Sequence, residues 1–297
     1  MTPRFFASRS NPIAFILPTL HFFHSHPRLP SENGGVFDRT TEKLKWNRYT
    51  LPFFALFFIL GGLFAPVFAQ ENNEKNLPES LTPIPREDVW WREKFEANRL
   101  RLENGPVDLL FLGDSIVETL DGDGVRVWDY YNGDRNAMTM GFGGDRTEHL
   151  LWRLENLPME KIAPHAIVLL IGSNNLYTQQ SDEEIAQGMA GCAEKLRALY
   201  PAAPILMLGI TPEHERPDHE IDVRMPSVNA LAAEKVKNIP NLTFRSIGHL
   251  WCDENGRSTL EMTRDHCHPT EKGCAVWLAE IEPILAEWLK TKPKKPM

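Results

Sequence analysis

Five short and almost uniformly apolar runs constrain the fold of this chain more than any other feature. Amphipathic segments separate them, the clearest beginning at Ser181 and Glu271. Runs that are apolar throughout are typical of parallel strands buried on both faces, and their alternation with helices indicates a doubly wound α/β domain. We therefore predict a flavodoxin-like, five-stranded parallel sheet with helices on both faces. The five runs are "VDLLFLG", "AMTMGF", "AIVLLIG", "PILMLGI" and "NLTFRSI".

The limits of this domain follow from helix and turn signals. Asp88 is placed to cap a helix over "VWWREKFEANRLRLEN", which Gly105-Pro106 would end. We predict the domain over residues 87–290. Residues 70–86 are polar and rich in proline, which predicts a linker. Residues 291–297 form a basic tail that we expect to be disordered.

An uncharged segment covers residues 51–69, with basic residues shortly before it and the polar "QENNEK" after it. A basic flank, an apolar core and small residues before a break predict a secretory signal peptide, cleaved after Ala69. The protein would then be secreted or periplasmic. An uncleaved membrane anchor is the alternative, although the prolines and glycines of the segment disfavour a spanning helix. We expect residues 1–50 to be disordered or to follow a misassigned start codon.

The net charge of the chain limits the classes of partner that it can bind. The chain has 32 basic and 40 acidic residues, and removal of residues 1–69 leaves 25 and 37, a net charge of −12. This balance disfavours nucleic acid and an anionic membrane surface as partners, so a membrane contact is expected only if the signal segment is retained. The oligomeric state is not predicted.

Four cysteines follow the signal segment, and their spacing matches no zinc site. They are Cys192, Cys252, Cys267 and Cys274. In an oxidising compartment we expect a disulfide between Cys252 and either Cys267 or Cys274.

Polar residues follow the first three predicted strands, at the edge of the sheet where α/β proteins bind their ligands. The first strand runs into Gly113-Asp114-Ser115, where a serine can be a nucleophile beside backbone donors or merely a helix cap. "GFGGD" follows the second, and Arg146 breaks the dinucleotide-binding pattern. Its glycines have no side chains, so this segment either lets a ligand approach the backbone closely or forms a tight turn. "GSNN" follows the third, and Asn174 can donate to an oxyanion or occupy a turn.

A last polar block, "RDHCHPT", lies near the C-terminus. As a metal site it is weak, because neighbouring side chains such as His266 and Cys267 diverge and no remote Cys/His pair completes a ligand set. The spacing of three between Asp265 and His268 lets a carboxylate orient an imidazole. The nucleophile elbow G-x-S-x-G is absent around Ser115, so the α/β-hydrolase fold is not indicated.

These blocks, in this order, resemble those of the SGNH or GDSL-type hydrolase family, over about Pro106 to Leu289. Within that family the chain is most similar to the catalytic subunits of platelet-activating-factor acetylhydrolase. The residues that carry the resemblance are "FLGDSIVE", "GFGGDRTEHLLWRLEN", "VLLIGSNN" and "DHCHPT".

The resemblance implies a role for each matched residue. Ser115 would be the nucleophile, His268 its general base, and Asp265 the residue that orients the base. The oxyanion hole would consist of the Ser115 N–H, the Gly144 N–H and the Asn174 side chain, with Gly143 as the alternative to Gly144. No metal or organic cofactor is implied. The expected supporting residues are Asp114, Asp145 and Asn175.

The expected function is a serine esterase acting on short-chain esters, acetyl foremost, of a small molecule or a carbohydrate. Two alternatives remain open at this point. One is a lysophospholipase or thioesterase that acts on longer acyl chains. The other is a non-catalytic carbohydrate-binding module on a hydrolase scaffold.

Overall fold

A parallel sheet runs through residues 77–297, the part of the chain that the computed structural model describes. Its strands are β1 (Leu109–Gly113), β2 (Ala137–Gly141), β3 (Ala166–Leu170), β4 (Ile205–Leu208) and β5 (Leu242–Arg245). They lie in the order β2-β1-β3-β4-β5, and every neighbouring pair is parallel. This is the flavodoxin-like order, so the predicted fold class is confirmed.

Helices connect the strands and cover both faces of the sheet. Within the described residues the α-helices are α1 (Val89–Glu103), α2 (Ser115–Glu118), α3 (Val125–Asn132), α4 (Thr147–Asn156), α5 (Asp182–Leu199), α6 (Glu220–Val236) and α7 (Glu271–Trp288). None of the helices found between residues 77 and 297 is both long and apolar enough to cross a membrane.

Two hydrophobic cores lie on opposite sides of the sheet, because successive side chains of a strand point to opposite faces. Leu110 and Leu112 of β1 belong to the core beneath α1, α4, α5 and α6. Leu109 and Phe111 belong to the core beneath α2, α3 and α7. All four leucine and phenylalanine side chains are fully buried, which explains why β1 is apolar throughout.

The last strand departs from the expectation of burial on both faces. Along β5, Leu242 and Phe244 are half-buried, whereas Thr243 and Arg245 are exposed. The strand lies at the edge of the sheet and pairs on one side only, with β4. Edge position alone does not account for this, because β2 lies at the other edge and is buried at every position but Ala137. Leu242 and Phe244 pack against the core beneath α6, whereas the opposite face of β5 is open to solvent.

Residues 77–86, predicted as part of a linker, instead pack against the domain. A short 3-10 helix covers Glu79–Leu81, and Ser80 Oγ donates to Glu184 O at 2.6 Å. Thr147 Oγ1 donates to Ser80 O at 2.8 Å. Local composition does not reveal these long-range contacts. The remainder of the predicted linker, residues 70–76, lies outside the described residues, as do the signal segment 51–69 and residues 1–50.

The basic tail also differs from the expectation of disorder. The Lys294 N–H donates to Glu282 Oε1 at 2.8 Å, and Lys294 Nζ donates to Asp134 Oδ1 at 2.7 Å. The carbonyl oxygen of Lys295 accepts a hydrogen bond from Tyr130 Oη at 3.2 Å. Acidic and tyrosine side chains of the domain therefore hold the tail in place.

All four cysteines are free, so the expected disulfide is wrong. Cys252 Sγ lies 3.4 Å from Gly248 O, within its own turn. The thiol of Cys274 is buried and faces Gly124, and Cys267 lines the cavity beside Ser115. The three side chains face different neighbours.

Candidate active site

Ser115 follows β1 and is the first residue of α2. Close packing requires a glycine before it, because a Cβ on Gly113 would lie 2.1 Å from Leu170 O. Asp114 caps the helix, its Oδ1 accepting the Ile116 N–H at 3.0 Å. This is the local hydrogen bond expected of Asp114. The helix cap is therefore Asp114 and not Ser115, whose hydroxyl is left for another partner.

That partner is His268, although 153 residues separate the two in sequence. Ser115 Oγ lies 2.9 Å from His268 Nε2, and His268 Nδ1 lies 2.8 Å from Asp265 Oδ2. With the proton on Nδ1, the imidazole donates to the carboxylate and accepts from the hydroxyl. The structure thus brings Ser115, His268 and Asp265 into one hydrogen-bonded chain, the arrangement that activates a serine nucleophile.

Asp265 is held by its own loop. Its Oδ1 accepts the backbone N–H groups of Cys267 at 3.2 Å and His268 at 2.8 Å. Partial burial alone would raise the pKa of Asp265, but these hydrogen bonds and the one to the His268 ring together lower it. The carboxylate therefore stays ionised at neutral pH.

His266 turns away from the serine. Its backbone has a φ of 69°, and its Nδ1 lies 3.0 Å from Ser258 O. Alternate residues of the loop thus face different ways. Between residues 77 and 297, no group of three or more His, Cys, Asp and Glu side chains is arranged to hold a metal ion.

The double glycine after β2 offers one free backbone donor. The Gly143 N–H donates to Glu118 Oε2 at 2.9 Å, so it is already engaged. Gly144 is exposed, has a φ of 74°, and its N–H meets no acceptor within residues 77–297. Of the two glycines considered for the oxyanion hole, Gly144 is the one whose N–H can reach a substrate.

Asn174 lies on a short 3-10 helix, Ser173–Tyr177, which follows β3. Its Nδ2 donates to Asp145 O at 2.9 Å. A carboxamide nitrogen carries two N–H groups, so the second remains available. Because the first is anchored to the backbone, the direction of the second is fixed.

A buried cluster supports these donors from below. The Asp145 side chain accepts from Trp91 Nε1 at 2.7 Å and from Arg153 Nε at 2.8 Å. Arg153 is fully buried and also donates to Gly113 O at 3.0 Å and Met140 O at 3.1 Å. One arginine therefore joins the ends of β1 and β2 to Asp145 and the glycine loop.

Asn175 supports the site in a different way from its neighbour. Its Oδ1 accepts the Thr147 N–H at 3.0 Å, and its Nδ2 donates to Glu148 Oε2 and Gln180 Oε1, both at 2.9 Å. The side chain is fully buried. Asn175 joins the start of α4 to the loop before α5, and its hydrogen-bonding groups are used internally.

Asp114 is electrostatically unusual. Complete burial raises its pKa to about 8, and the nearby Glu213 and Asp145 add to the shift, against the Ile116 hydrogen bond that lowers it. Its Oδ2 has no hydrogen-bond partner among the described residues. Asp114 is therefore largely protonated at neutral pH, which suits a capping role and not that of a charged catalytic group.

A cavity of about 260 Å³ opens beside Ser115, and its wall includes Ile116, Ser173 and Cys267. Glu213, from the loop after β4, also lines it and was not expected from the sequence. A second cavity, of about 330 Å³, shares Asn174 with the first and is lined by Gly144 and Arg86 among others. A substrate can thus occupy space on both sides of the oxyanion donors.

Comparison with known proteins is consistent with this geometry. The model of the GDSL-like lipase/acylhydrolase family matches residues 111–276, more than half of the chain. The chain belongs to this family. It is an ester hydrolase, and the SGNH resemblance is thereby confirmed.

Relatives of this GDSL-like hydrolase include platelet-activating factor acetylhydrolase IB subunit alpha2 of Rattus norvegicus. The two are 27% identical over 227 residues, which cover 76% of this chain and 96% of the relative. A GDSL-like lipase from Bacteroides thetaiotaomicron has a similar fold, with a TM-score of 0.53 and 19% identity over 66% of this chain and 97% of that one. An acetyl xylan esterase gives a TM-score of 0.50 and 17% identity over 60% and 98%.

Sequence reasoning missed several residues around the site of this GDSL-like hydrolase. Arg86, Glu118 and Arg153 contact the glycine loop or the strand ends. Arg153 and Glu118 lie within helical patterns, where charged residues normally mark the solvent face, and Arg86 lies in the predicted linker. Glu118 and Arg153 do lie in the blocks "FLGDSIVE" and "GFGGDRTEHLLWRLEN", which carry the family resemblance. For Glu213 the available signal was the polar "TPEHE" after the fourth apolar run.

Proposed function

We propose that this GDSL-like hydrolase is a serine esterase that removes short acyl groups, acetyl foremost, through an acyl-enzyme at Ser115. One observation carries the proposal. The Ser115 hydroxyl, the His268 imidazole and the Asp265 carboxylate form a continuous hydrogen-bonded chain. Asn174 lines the cavity that contains the hydroxyl, and Gly144 lines a second cavity that shares Asn174 with it.

In the first half of the reaction Ser115 Oγ attacks the ester carbonyl carbon, and His268 Nε2 takes the hydroxyl proton. The carbonyl oxygen becomes an oxyanion that accepts hydrogen bonds from the Ser115 N–H, the Gly144 N–H and Asn174 Nδ2. Asp265 stabilises the imidazolium that forms. The tetrahedral intermediate then collapses, the C–O bond to the alcohol breaks, and His268 returns the proton to the leaving alcohol.

The second half repeats these steps with water. His268 Nε2 takes a proton from the water as its oxygen attacks the acyl-enzyme carbonyl. Collapse of the second tetrahedral intermediate breaks the bond to Ser115 Oγ, which recovers its proton from the imidazolium. The products are the free acid and the unmodified enzyme, so no cofactor enters the balance.

A short acyl group is favoured by two observations. The cavity beside Ser115 is only about 260 Å³, and Ile116 and Cys267 are among the residues that line it. In addition, a relative at 27% identity bears the name acetylhydrolase. A lysophospholipase or thioesterase acting on long chains would need room for an extended acyl tail.

For the alcohol we propose an acetylated carbohydrate. An acetyl xylan esterase shares the fold, and the signal peptide expected from the sequence would bring the enzyme to a compartment where extracellular polysaccharide is met. We accordingly propose that the protein is secreted or periplasmic, or membrane-anchored if residues 51–69 are retained.

The test is hydrolysis of p-nitrophenyl acetate, butyrate and octanoate by the wild type and by Ser115→Ala. We expect kcat/KM to fall with chain length and Ser115→Ala to be inactive yet folded. Ser227→Ala, which changes an exposed serine on α6, is the matched control and should behave as the wild type. Acetate release from acetylated xylo-oligosaccharide then tests the alcohol.

Each part of the proposal has its own contrary result. A Ser115→Ala protein with a tenth of wild-type turnover would exclude Ser115 as the nucleophile. A preference for octanoate would favour the lysophospholipase or thioesterase alternative. Binding of the oligosaccharide without turnover of any ester would favour the carbohydrate-binding alternative.

A further inference from the structure

The amide between Gly143 and Gly144 has two ends with different partners. Its N–H belongs to Gly144 and is the proposed oxyanion donor. Its C=O belongs to Gly143 and accepts a hydrogen bond from Arg86 Nη1 at 2.6 Å. Arg86 lies 57 residues earlier in sequence, in the segment before α1. Arg86 lies outside the region that the family model matches, yet it binds the carbonyl oxygen of the same peptide group whose N–H is the proposed donor.

This peptide sits in a turn with two possible orientations. The Asp145 N–H donates to Phe142 O at 3.1 Å, which closes a four-residue turn with Gly143 and Gly144 at its centre. The φ of 74° at Gly144 is typical of a type II turn. Rotation of the central peptide converts a type II turn into type I and reverses the directions of its N–H and C=O. Two glycines offer little resistance to that rotation, since they lack a Cβ.

Arg86 favours the orientation that is useful for catalysis. In the present orientation the guanidinium donates a short hydrogen bond, 2.6 Å, to the carbonyl oxygen. In the reversed orientation the guanidinium would face the Gly144 N–H, and two donors cannot form a hydrogen bond. The Gly143 carbonyl would then point into the oxyanion hole. A cation hydrogen-bonded to the carbonyl also draws electron density from the amide and strengthens the N–H as a donor.

The guanidinium is itself well placed for this contact. Its Nη1 lies 3.7 Å from the buried carboxylate of Asp145, and its Nε donates to Asp88 Oδ2 at 3.0 Å. The side chain also stacks over Trp90, with 5.3 Å between Cζ and the ring centroid, and is only 21% exposed. The Asp88 carboxylate, expected from sequence to cap α1, accepts no hydrogen bond from that helix and instead pairs with Arg86.

We propose that Arg86 is a positioning residue of the oxyanion hole, which orients and polarises the Gly143–Gly144 amide so that its N–H faces the developing oxyanion. The inference rests on the proposed esterase function. It gives Arg86, which lies in the segment predicted as a linker, an indirect part in the reaction through the Gly143–Gly144 amide.

The experiment compares Arg86→Gln, Arg86→Lys and Arg86→Ala with the wild type on p-nitrophenyl acetate. Outright loss of an oxyanion donor lowers kcat by about 10²–10³-fold, and misorientation of a donor that is still present should cost less, about 10- to 100-fold. We expect KM to change little, and Arg86→Lys to retain more activity than Arg86→Gln. Arg101→Gln is the matched control, because Arg101 also donates to a backbone carbonyl, Pro106 O, at the opposite end of α1.

Two further measurements separate positioning from mere stabilisation. Inhibition by a trifluoromethyl ketone, which forms an oxyanion on Ser115, should weaken in each Arg86 variant by the factor that kcat/KM falls. Added guanidinium ion, at concentrations that leave the control unchanged, should partly restore kcat of Arg86→Ala. A variant that had merely lost stability would show neither effect.

The outcomes are distinguishable from a failure of the proposed function. If Ser115→Ala is inactive but folded Arg86→Gln keeps wild-type kcat, or loses activity through KM alone, the esterase proposal stands and the role of Arg86 is wrong. Loss of kcat that guanidinium does not restore and that inhibition does not follow would equally overturn it. If Ser115→Ala remains active, the esterase proposal itself fails.

Discussion

Replacement of Asn174 by alanine removes one oxyanion donor with little other change. Its Nδ2 lies 2.9 Å from Asp145 O, so one N–H is anchored and the other is held ready for the substrate. The loss of one such donor costs about 3–4 kcal/mol in the transition state, which corresponds to a fall in kcat of about 10²–10³-fold. KM should change little, because the donor acts where negative charge develops.

The same substitution has a separate and smaller effect on stability. It removes one partly buried hydrogen bond, worth about 1 kcal/mol, so the melting temperature should fall by only about 2–4 °C for a domain of this size. Asn175→Ala should show the opposite pattern. It would leave the partners at Thr147, Glu148 and Gln180 unsatisfied and lose about 3 kcal/mol of stability at roughly 1 kcal/mol each.

The assay is steady-state hydrolysis of p-nitrophenyl acetate, normalised to folded protein, beside thermal unfolding. Asn156→Ala is the matched control, since Asn156 Nδ2 also donates to a backbone carbonyl at 2.9 Å but on the exposed side of α4. We expect the control to match the wild type in both measurements. A fall in kcat of less than about fivefold for Asn174→Ala, or a change confined to KM, would refute its place in the oxyanion hole, where one donor is worth about 10²–10³.

Three further predictions concern the neighbouring groups. In kinetic assays, His268→Ala should lose nearly all activity and Asp265→Asn much of it. His266→Ala should stay active, because the His266 ring contacts Ser258 O and not Ser115. An inactive His266→Ala beside an active His268→Ala would show that His266 is the base. The pKa of Asp114 is raised to about 8 in the folded protein, so between about pH 4 and 8 the folded state keeps a proton on Asp114 that the unfolded state has lost. The free energy of unfolding therefore falls as pH rises through that range. Denaturant unfolding should therefore show Asp114→Asn gaining about 1 kcal/mol per pH unit relative to the wild type, and parallel curves would contradict this. Activity should also survive exhaustive dialysis against EDTA, and its loss with recovery on added zinc would show that "DHCH" binds metal.

The sheet was predictable because its signal is local. Each strand of the interior is apolar at every position, and that pattern follows directly from burial on both faces. At β5 the same reasoning overstated the burial of Thr243 and Arg245, because a run such as "NLTFRSI" does not reveal whether both faces of the strand are covered.

The residues proposed to carry the reaction were predictable for a different reason. Ser115, Asn174, Asp265 and His268 stand in short blocks that a family resemblance can register one residue at a time. The structure brings them together, and it also separates His266 from His268 as the spacing of three had suggested.

The two arginines around the site were not predicted, although Arg153 lies within one of the blocks that carry the resemblance. Arg86 and Arg153 donate to the backbone carbonyl oxygens of Gly143 and Gly113. Every residue has a backbone carbonyl, so the sequence does not show which one an arginine will bind. Arg153 occupies a helical position where an arginine normally faces water. Its charge is balanced by Asp145, eight residues earlier, which is buried with it.

The proposed nucleophile, Ser115, and its proposed base, His268, are far apart in sequence and lie on opposite sides of an exposed turn around Gly256. The part after the turn carries Asp265, His268 and α7, whose Trp277 packs against Phe111 of β1. The chain can therefore be divided at this turn into two polypeptides, neither of which holds a complete proton-transfer pair. Ester hydrolysis would then require the two polypeptides to associate. If two other proteins were fused to the new ends, hydrolysis of a chromogenic ester would measure whether those proteins bind each other.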